Sequence, residues 1–535
     1  MHPTFRQSMA WLHSWAGVLI GSLLFVVFWM GTLSVFDREI DRWMMPDTRL
    51  DTGLLQAPLM LDGPVSAQIE RLTQGASQWS VVLPYERAPV LRLSWRPPGS
   101  TRPERRYLHP RTGAVLNETE TLGGSGFIYP FHYSLHLKWK DLGYWLAGLA
   151  GLAMLVGVIS GVVIHRKLLA DFFLFRPRKQ LPRASLDLHN LTGVLLLPFH
   201  VAIALSGLIV FMGIYWPAAP WAAYPGAGPV AAQQAFQAEG MGVYRRPKAG
   251  RPAEQAPALD SMLAAARQHW PGSEAYFLRV WHPGDANSYV ELRRSPQDQV
   301  PLGLEQLYFD AASGALLHEF NEAPVMRVQR FVSGLHYVQF KHWMLRWLYF
   351  AAGLGGCVMI GTGFVFWLES RRTRHARQGL AGVRVVEALS VASMPGVIAA
   401  TLAFLLANRL LPAHAQAGSL GRAELEMAAF YLCWLLSLAH AAWQGRQAWA
   451  QQLWAVAGAA AAAVLLNALT TGMPLWRSLQ LGQWGVAGVD TALLCLAAVS
   501  TWAALRLRRG HARHSTPSRN TDRSPALQHT GERHA

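Results

Sequence analysis

The chain has 535 residues, 51% of them hydrophobic, with 22 tryptophans and a formal net charge of +16. The apolar residues gather in runs long enough to cross a hydrocarbon slab of about 30 Å, which takes roughly 20 helical residues, and this excludes a soluble globular domain. The basic residues collect at the ends of those runs, the pattern that orients a membrane protein, and this argues against the nucleic-acid partner that the charge alone would suggest.

Eight spans are expected, at approximately 15–36, 143–165, 191–214, 346–368, 385–408, 426–443, 452–470 and 486–506. The fold class is therefore a multi-pass α-helical membrane protein. The first apolar run is too long for the core of a cleaved signal and lacks a small-residue cleavage site, so it is expected to remain as a span. Two long loops, 37–142 and 215–345, separate the first four spans, and each is long enough to fold on its own. Basic loops at 166–190 and 369–384 follow the second and fourth spans. The last four spans form a membrane extension over 385–506, and 507–535 is expected to be a disordered tail.

Charge orients the chain. Arg166, Lys167, Arg176, Arg178, Lys179 and Arg183 follow the second span, and Arg371, Arg372, Arg374 and Arg377 the fourth. Arg446 follows the sixth, and Arg506, Arg508, Arg509 and Arg513 the eighth. Every even-numbered exit is basic, which places both termini in the cytoplasm and both long loops outside.

Each long loop shows one plan. Short helices are expected at 64–74 and 257–270, followed by stretches of alternating polarity at 79–83, 90–95, 277–281 and 289–292, the period of half-buried strands. A strand, a turn and a strand then recur at 106–116 and 306–316, with glycine at the turn. The flanking helices repeat too. Leu12-His13-Ser-Trp-Ala-Gly17-Val-Leu19 matches Leu188-His189-Asn-Leu-Thr-Gly193-Val-Leu195, and Phe131-His-Tyr-Ser-Leu-His136 matches Phe331-Val-Ser-Gly-Leu-His336. Residues 1–170 and 185–370 thus read as two copies of helix, outer domain, helix.

Three stretches carry a resemblance: His165 to Pro177, Leu186 to His200, and Leu345 to Leu354. Together they make the N-terminal 370 or so residues resemble the PepSY-associated transmembrane family, whose members are linked to iron uptake and to reduction of ferric siderophores at the inner membrane. The resemblance implies small α+β, PepSY-like periplasmic domains and, in some members, b-type haem held by helix histidines. It does not reach the last four spans.

The histidines support that expectation. An ionisable side chain in hydrocarbon is costly and marks a site, and neutral imidazole is tolerated there when Nε2 binds a metal and Nδ1–H donates to a neighbour. On a straight helix His189 and His200 share one face, roughly 16 Å apart along the axis, a spacing suited to two stacked haems. His13, His165 and His189 fall near the inner ends of their helices, so any two could ligate one iron, with His189 preferred beside either His13 or His165. His200 is the ligand expected for a second haem, but His136 and His336 lie nearer the outer surface. Either the helix boundaries differ or those two serve another site. His342 and the His132-Tyr133 pair read as interface anchors. Gly157, Gly161, Gly353, Gly356, Gly361 and Gly363 read as helix-packing positions.

Cys357, Cys433 and Cys495 all sit in apolar runs and offer no disulfide framework, and no CxxCH sequence is present for covalent haem. The expectation is an inner-membrane protein with one or two haem b groups that reduces a ferric siderophore or another ferric chelate. A separate donor, quinol or a cytoplasmic reductase, is needed because the chain holds no nicotinamide or flavin domain. The alternatives are a membrane-anchored binding or regulatory protein without catalysis, and a component of siderophore or metal transport.

Overall fold

The computed structural model describes residues 4–116, 120–165, 176, 177 and 180–515. Arg166, Lys167, Arg178, Lys179 and the tail beyond 515 lie outside the described residues.

The first span, α1 (Phe5–Ser34), opens on Thr4, whose hydroxyl accepts from the Gln7 N–H while the Gln7 side chain accepts from the Thr4 N–H. This reciprocal cap satisfies amide groups that a helix start leaves unpaired. A short helix, α2 (Asp37–Met44), follows at once, then α3 (Pro64–Leu72) and strands β1 (Gln78–Val82), β2 (Leu91–Trp95) and β3 (Glu104–Leu108). The chain returns through α4 (Tyr129–Ser134) to the second span, α5 (Leu142–Ile164).

The third span is broken. α6 (Leu181–Leu195) and α7 (Leu197–Val210) meet at an angle of 67°. Pro198 stands in the first turn of α7, where it lacks an N–H and its ring collides with the carbonyl four residues back, so an unbroken helix cannot pass. The straight-helix expectation that puts His189 and His200 on one face therefore fails.

The second loop holds the single turns α8 (Met212–Tyr215) and α9 (Ala219–Ala223), then α10 (Gly228–Met241) and α11 (Leu259–His269). Strands β4 (Ala275–Trp281), β5 (Tyr289–Arg294), β6 (Gln306–Asp310) and β7 (Leu316–Phe320) lead into α12 (Pro324–Tyr337) and the fourth span, α13 (Trp343–Arg377). The extension comprises α14 (Gly382–Val391) and α15 (Val397–Leu410), which form one span through a π-turn at Pro395, then α16 (Arg422–Gln444), α17 (Gln447–Thr471), the short α18 (Leu475–Gln480) and α19 (Trp484–Ser515). Within the π-turn the Ala392 carbonyl accepts from Trp434 Nε1 at 2.9 Å. Among the described residues seven helices are long and apolar enough to cross a membrane, or eight when the bent pair counts as one span. α19 runs on to Ser515, so the start of the expected disordered tail is helical.

The two loops do not fold separately. They build one antiparallel sheet in the order β3-β2-β1-β4-β5-β6-β7, joined where Trp79 faces Val280 and Val81 faces Leu278. Period-two alternation puts Trp79, Val81, Leu91, Leu93, Leu278, Val280, Leu292 and Phe309 on the face covered by Val65 and Ile69 of α3 and Met262 and Leu263 of α11. The two helix starts also clasp each other, with Asp62 capping α11. Asp260 accepts from the Leu61 and Asp62 N–H groups at 2.7 and 3.2 Å, and Asp62 accepts from those of Leu259 and Asp260 at 3.0 and 3.1 Å.

Beneath the sheet α1 packs on α5 and α13, α6 on α13, α5 on α7, α4 on α1 and α12 on α7. The extension docks through α2. Trp43 Nε1 donates to Asp490 at 2.7 Å, Arg42 donates to Gln483 at 2.5 Å, and the Arg409 guanidinium lies 4.4 Å over the Trp43 ring. Glu426 is fully buried but held by Arg422, Asn408 and Thr121, so this carboxylate serves the helix packing.

Candidate functional site

Two pairs of imidazoles stand at opposite ends of the first four spans. At the ends away from the sheet, His13 of α1 meets His189 of α6, with ring centroids 6.1 Å apart. At the sheet side, His132 of α4 meets His336 of α12, with centroids 5.9 Å apart and planes inclined by 22°.

All four rings are held by one device. His13 Nδ1 lies 2.9 Å from the Gly157 carbonyl, and a methyl on Gly161 would stand 3.4 Å from His13 Cε1. His189 Nδ1 lies 2.8 Å from the Met359 carbonyl, and a methyl on Gly363 would stand 3.0 Å from that nitrogen. His132 Nδ1 lies 2.9 Å from the Val27 carbonyl and faces Gly31; His336 Nδ1 lies 3.0 Å from the Ile203 carbonyl and faces Gly207. In each case the carbonyl is four residues before the glycine. Side chains on a helix lean toward its N-terminus, so the residue at i+4 normally shields the carbonyl of residue i, and glycine there opens it to a lateral donor. Three of the four carbonyls also accept from a hydroxyl at i+3: Ser160, Thr362 and Ser206, each at 3.1 Å.

The chemistry follows from the acceptor. A carbonyl cannot donate, so each Nδ1 carries its proton and each Nε2 presents a lone pair. Among the described residues none of these four Nε2 atoms makes a hydrogen bond. Around the sheet-side pair a cleft of about 880 Å³, partly open to the outside, is lined by both rings and by Gly31, Gly148, Gly151 and Gly207.

The remaining candidates are placed differently. His200 is fully buried, edge-on to Phe28 and Phe199, with neither nitrogen partnered among the described residues. It sits beside Gly356, one to two turns of α13 from the carbonyl and glycine that hold His189. His136 is not the counterpart of His336. Its Nε2 donates to the Phe127 carbonyl, 2.9 Å away, and its ring stacks on Phe127 at 4.9 Å, in a left-handed turn with φ 54°. His165 caps the end of α5, with Nδ1 buried and unpartnered among the described residues, so the ring beside His189 is that of His13. His132, read from sequence as an interface anchor, is the residue the alignment of the two halves misses. Gly161 and Gly363 face imidazoles, Gly356 faces both the Phe28 ring and His200 Nε2, and Gly361 faces the Met394 sulfur.

No group of three or more His, Cys, Asp or Glu able to hold a metal ion by itself occurs among the described residues. A two-ligand group with its own equatorial donors is a separate case.

Residues 10–370 match the family described as the PepSY-associated TM region. An uncharacterised protein of Pseudomonas aeruginosa is 30% identical over 378 residues, 68% of this chain and 84% of the relative. The matched region takes in both imidazole pairs, the sheet and the broken span, and ends as α13 leaves the bundle; by that match the chain belongs to the PepSY-associated transmembrane region family.

Proposed function

We propose that this is an electron-transfer protein of a bacterial inner membrane, with b-type haem held between His13 and His189 and between His132 and His336, and that it reduces a ferric siderophore or other ferric chelate on the sheet side. The observation that carries the reading is the facing of imidazoles whose Nδ1–H groups are all committed to backbone carbonyls. His13 with His189, and His132 with His336, would hold the group through their Nε2 lone pairs, the rings of each pair facing at centroid distances of 6.1 and 5.9 Å. The glycines keep the flanks of these rings free of side chains.

The bound group would supply one-electron chemistry, with its potential set by axial ligands and burial. The chain's own part is to fix ring orientation and tautomer through the carbonyl bonds and to hold both sites in apolar surroundings. Along α1 the carbonyl of Val27 lies 14 residues from His13, so the two levels are separated by roughly 21 Å, and His200 lies between them. An electron from quinol or a cytoplasmic reductase would enter at the far side and leave to one ferric ion, giving Fe(II), which hard oxygen ligands bind less tightly. The basic exits at Arg371, Arg372, Arg374 and Arg377 favour a cytoplasmic far side and a periplasmic sheet.

Reduced-minus-oxidised visible spectra of protein purified from haem-replete cells test this. A b-type signal is expected, reduced by half in His189→Ala or His336→Ala and intact in His136→Ala. Colourless protein would leave a membrane-anchored binding protein as the surviving account.

A further inference from the structure

We propose that the cleft between α2 and the uncovered face of the sheet is a binding site for an oxyanion, separate from the imidazole pairs. Strand β2 alternates buried and half-buried residues, so Arg92 points away from the helix-covered core. Its cross-strand neighbours on that face are Val82 and Tyr107. Opposite lie Arg38, Asp41 and Arg42 of α2, and Tyr85 completes a cleft of about 440 Å³ that opens in part to solvent.

The charge balance makes the case. Three guanidinium groups line the cleft against one carboxylate, that of Asp41. Of the other acids of α2, Glu39 is taken by Arg87 at 2.6 Å, and Asp37 is shared between Arg87 at 3.3 Å and Arg38 at 3.5 Å, so neither serves Arg92. Arg38 reaches Asp41 only at 3.4 Å, and Asp41 also accepts from the Ser125 N–H at 3.0 Å. Arg92 makes no ion pair or hydrogen bond among the described residues. Arg42 is 8% exposed, and its Nε–H has no acceptor among the described residues. Buried donors and like charges brought together without an acceptor are costly; burial and the Arg38 charge both hold the Arg92 pKa below the ordinary guanidinium value. An oxyanion entering the cleft would accept from these forks and neutralise the excess, the geometry for which arginine is suited. The oxyanion could be carried by a soluble carboxylate or phosphate or by a lipid headgroup, since α2 begins where the first span ends.

Calorimetric titration of the full chain in maltoside detergent, in buffer free of phosphate and carboxylate, reads the site. Citrate or inorganic phosphate is expected to bind saturably, at least tenfold more weakly to Arg92→Gln, with partial recovery in Arg92→Lys and no change in Arg71→Gln on α3, across the sheet. Added phosphatidylglycerol that displaces the probe identifies a headgroup as the occupant, and a probe unmoved by the lipid identifies a soluble anion. Failure of both probes to bind the parent, or equal binding by parent and by correctly folded Arg92→Gln and Arg92→Lys, overturns the proposal.

Discussion

Replacing the glycines beneath the imidazoles gives a graded test of the proposed ligand geometry. A methyl at Gly31 would stand 2.6 Å from His132 Cε1, at Gly207 2.8 Å from His336 Cε1, at Gly363 3.0 Å from His189 Nδ1 and at Gly161 3.4 Å from His13 Cε1. Carbon atoms rest about 3.5–4.0 Å apart, so Gly31→Ala requires the His132 ring to retreat by about 1 Å, whereas Gly161→Ala requires almost nothing. A retreat of that size breaks the 2.9 Å bond to the Val27 carbonyl. Loss of such an outer partner costs about 10–100-fold in metal affinity, or roughly 1.4–2.7 kcal/mol. The expected order of haem loss is Gly31→Ala first, then Gly207→Ala, then Gly363→Ala, with Gly161→Ala near the parent. Haem-to-protein ratio by pyridine haemochrome, with midpoint potentials of what remains, measures it. Full occupancy and unshifted potentials in Gly31→Ala and Gly207→Ala would refute the argument that these carbonyls position the ligands.

Three further outcomes are expected. His200→Leu should keep full haem stoichiometry, because this ring belongs to neither pair, and should leave stability unchanged or improved, since the imidazole nitrogens are buried without partners; loss of a haem would return His200 to the ligand set. Asp62→Ala, as a lost helix cap, and Asp260→Ala, as lost charge-assisted hydrogen bonds, should each loosen the sheet by about 1 kcal/mol, with the double variant costing less than the sum because the two share one interaction; amide hydrogen exchange in β1 and β4 reads this. Burial would raise the Asp310 carboxyl, but Arg246 at 2.5 Å and the Ser313 N–H outweigh it and hold the group below the ordinary value of 3.8. A carboxyl depressed on folding adds stability that is present above its unfolded pKa and is lost as pH falls through the folded one. Protection of the β6–β7 turn should therefore fall with acid below about pH 3.8 in the parent, and an Asp310→Asn variant should lack that dependence.

Much of the fold is written in local pattern. Span positions follow from apolar length, and strands β1, β2, β4 and β5 from alternation at Trp79–Leu83, Val90–Trp95, Phe277–Trp281 and Tyr289–Leu292. What local pattern does not carry is pairing between distant strands. β1 and β4 look like two independent edges until Asp62 and Asp260 are seen to clasp each other's helix starts, nearly 200 residues apart. The break at Leu196 is legible in the sequence: Pro198 inside an apolar run interrupts the helix and separates the faces of His189 and His200.

The paired imidazoles were legible in half of their parts, and the reason lies in what orients a histidine ring inside a membrane. Aligning the two halves pairs His13 with His189, whose rings do stand side by side, because both ride on spans in the same register. The same alignment pairs His136 with His336, since both end the sequence Leu-His, yet the carbonyl-and-glycine device selects His132, whose position in the second half is occupied by Val332. The better signal lies on the opposite helices. Ser160-Gly161, Ser206-Gly207 and Thr362-Gly363 place a hydroxyl and a bare Cα one after the other inside apolar runs, and Met30-Gly31 keeps the glycine alone. In hydrocarbon few side chains can serve as a histidine's second partner without their own desolvation cost, whereas a helix carbonyl is already there and has a spare lone pair. Removing one side chain exposes it, so the cheapest way to orient an imidazole in a membrane is a glycine four residues downstream on its neighbour.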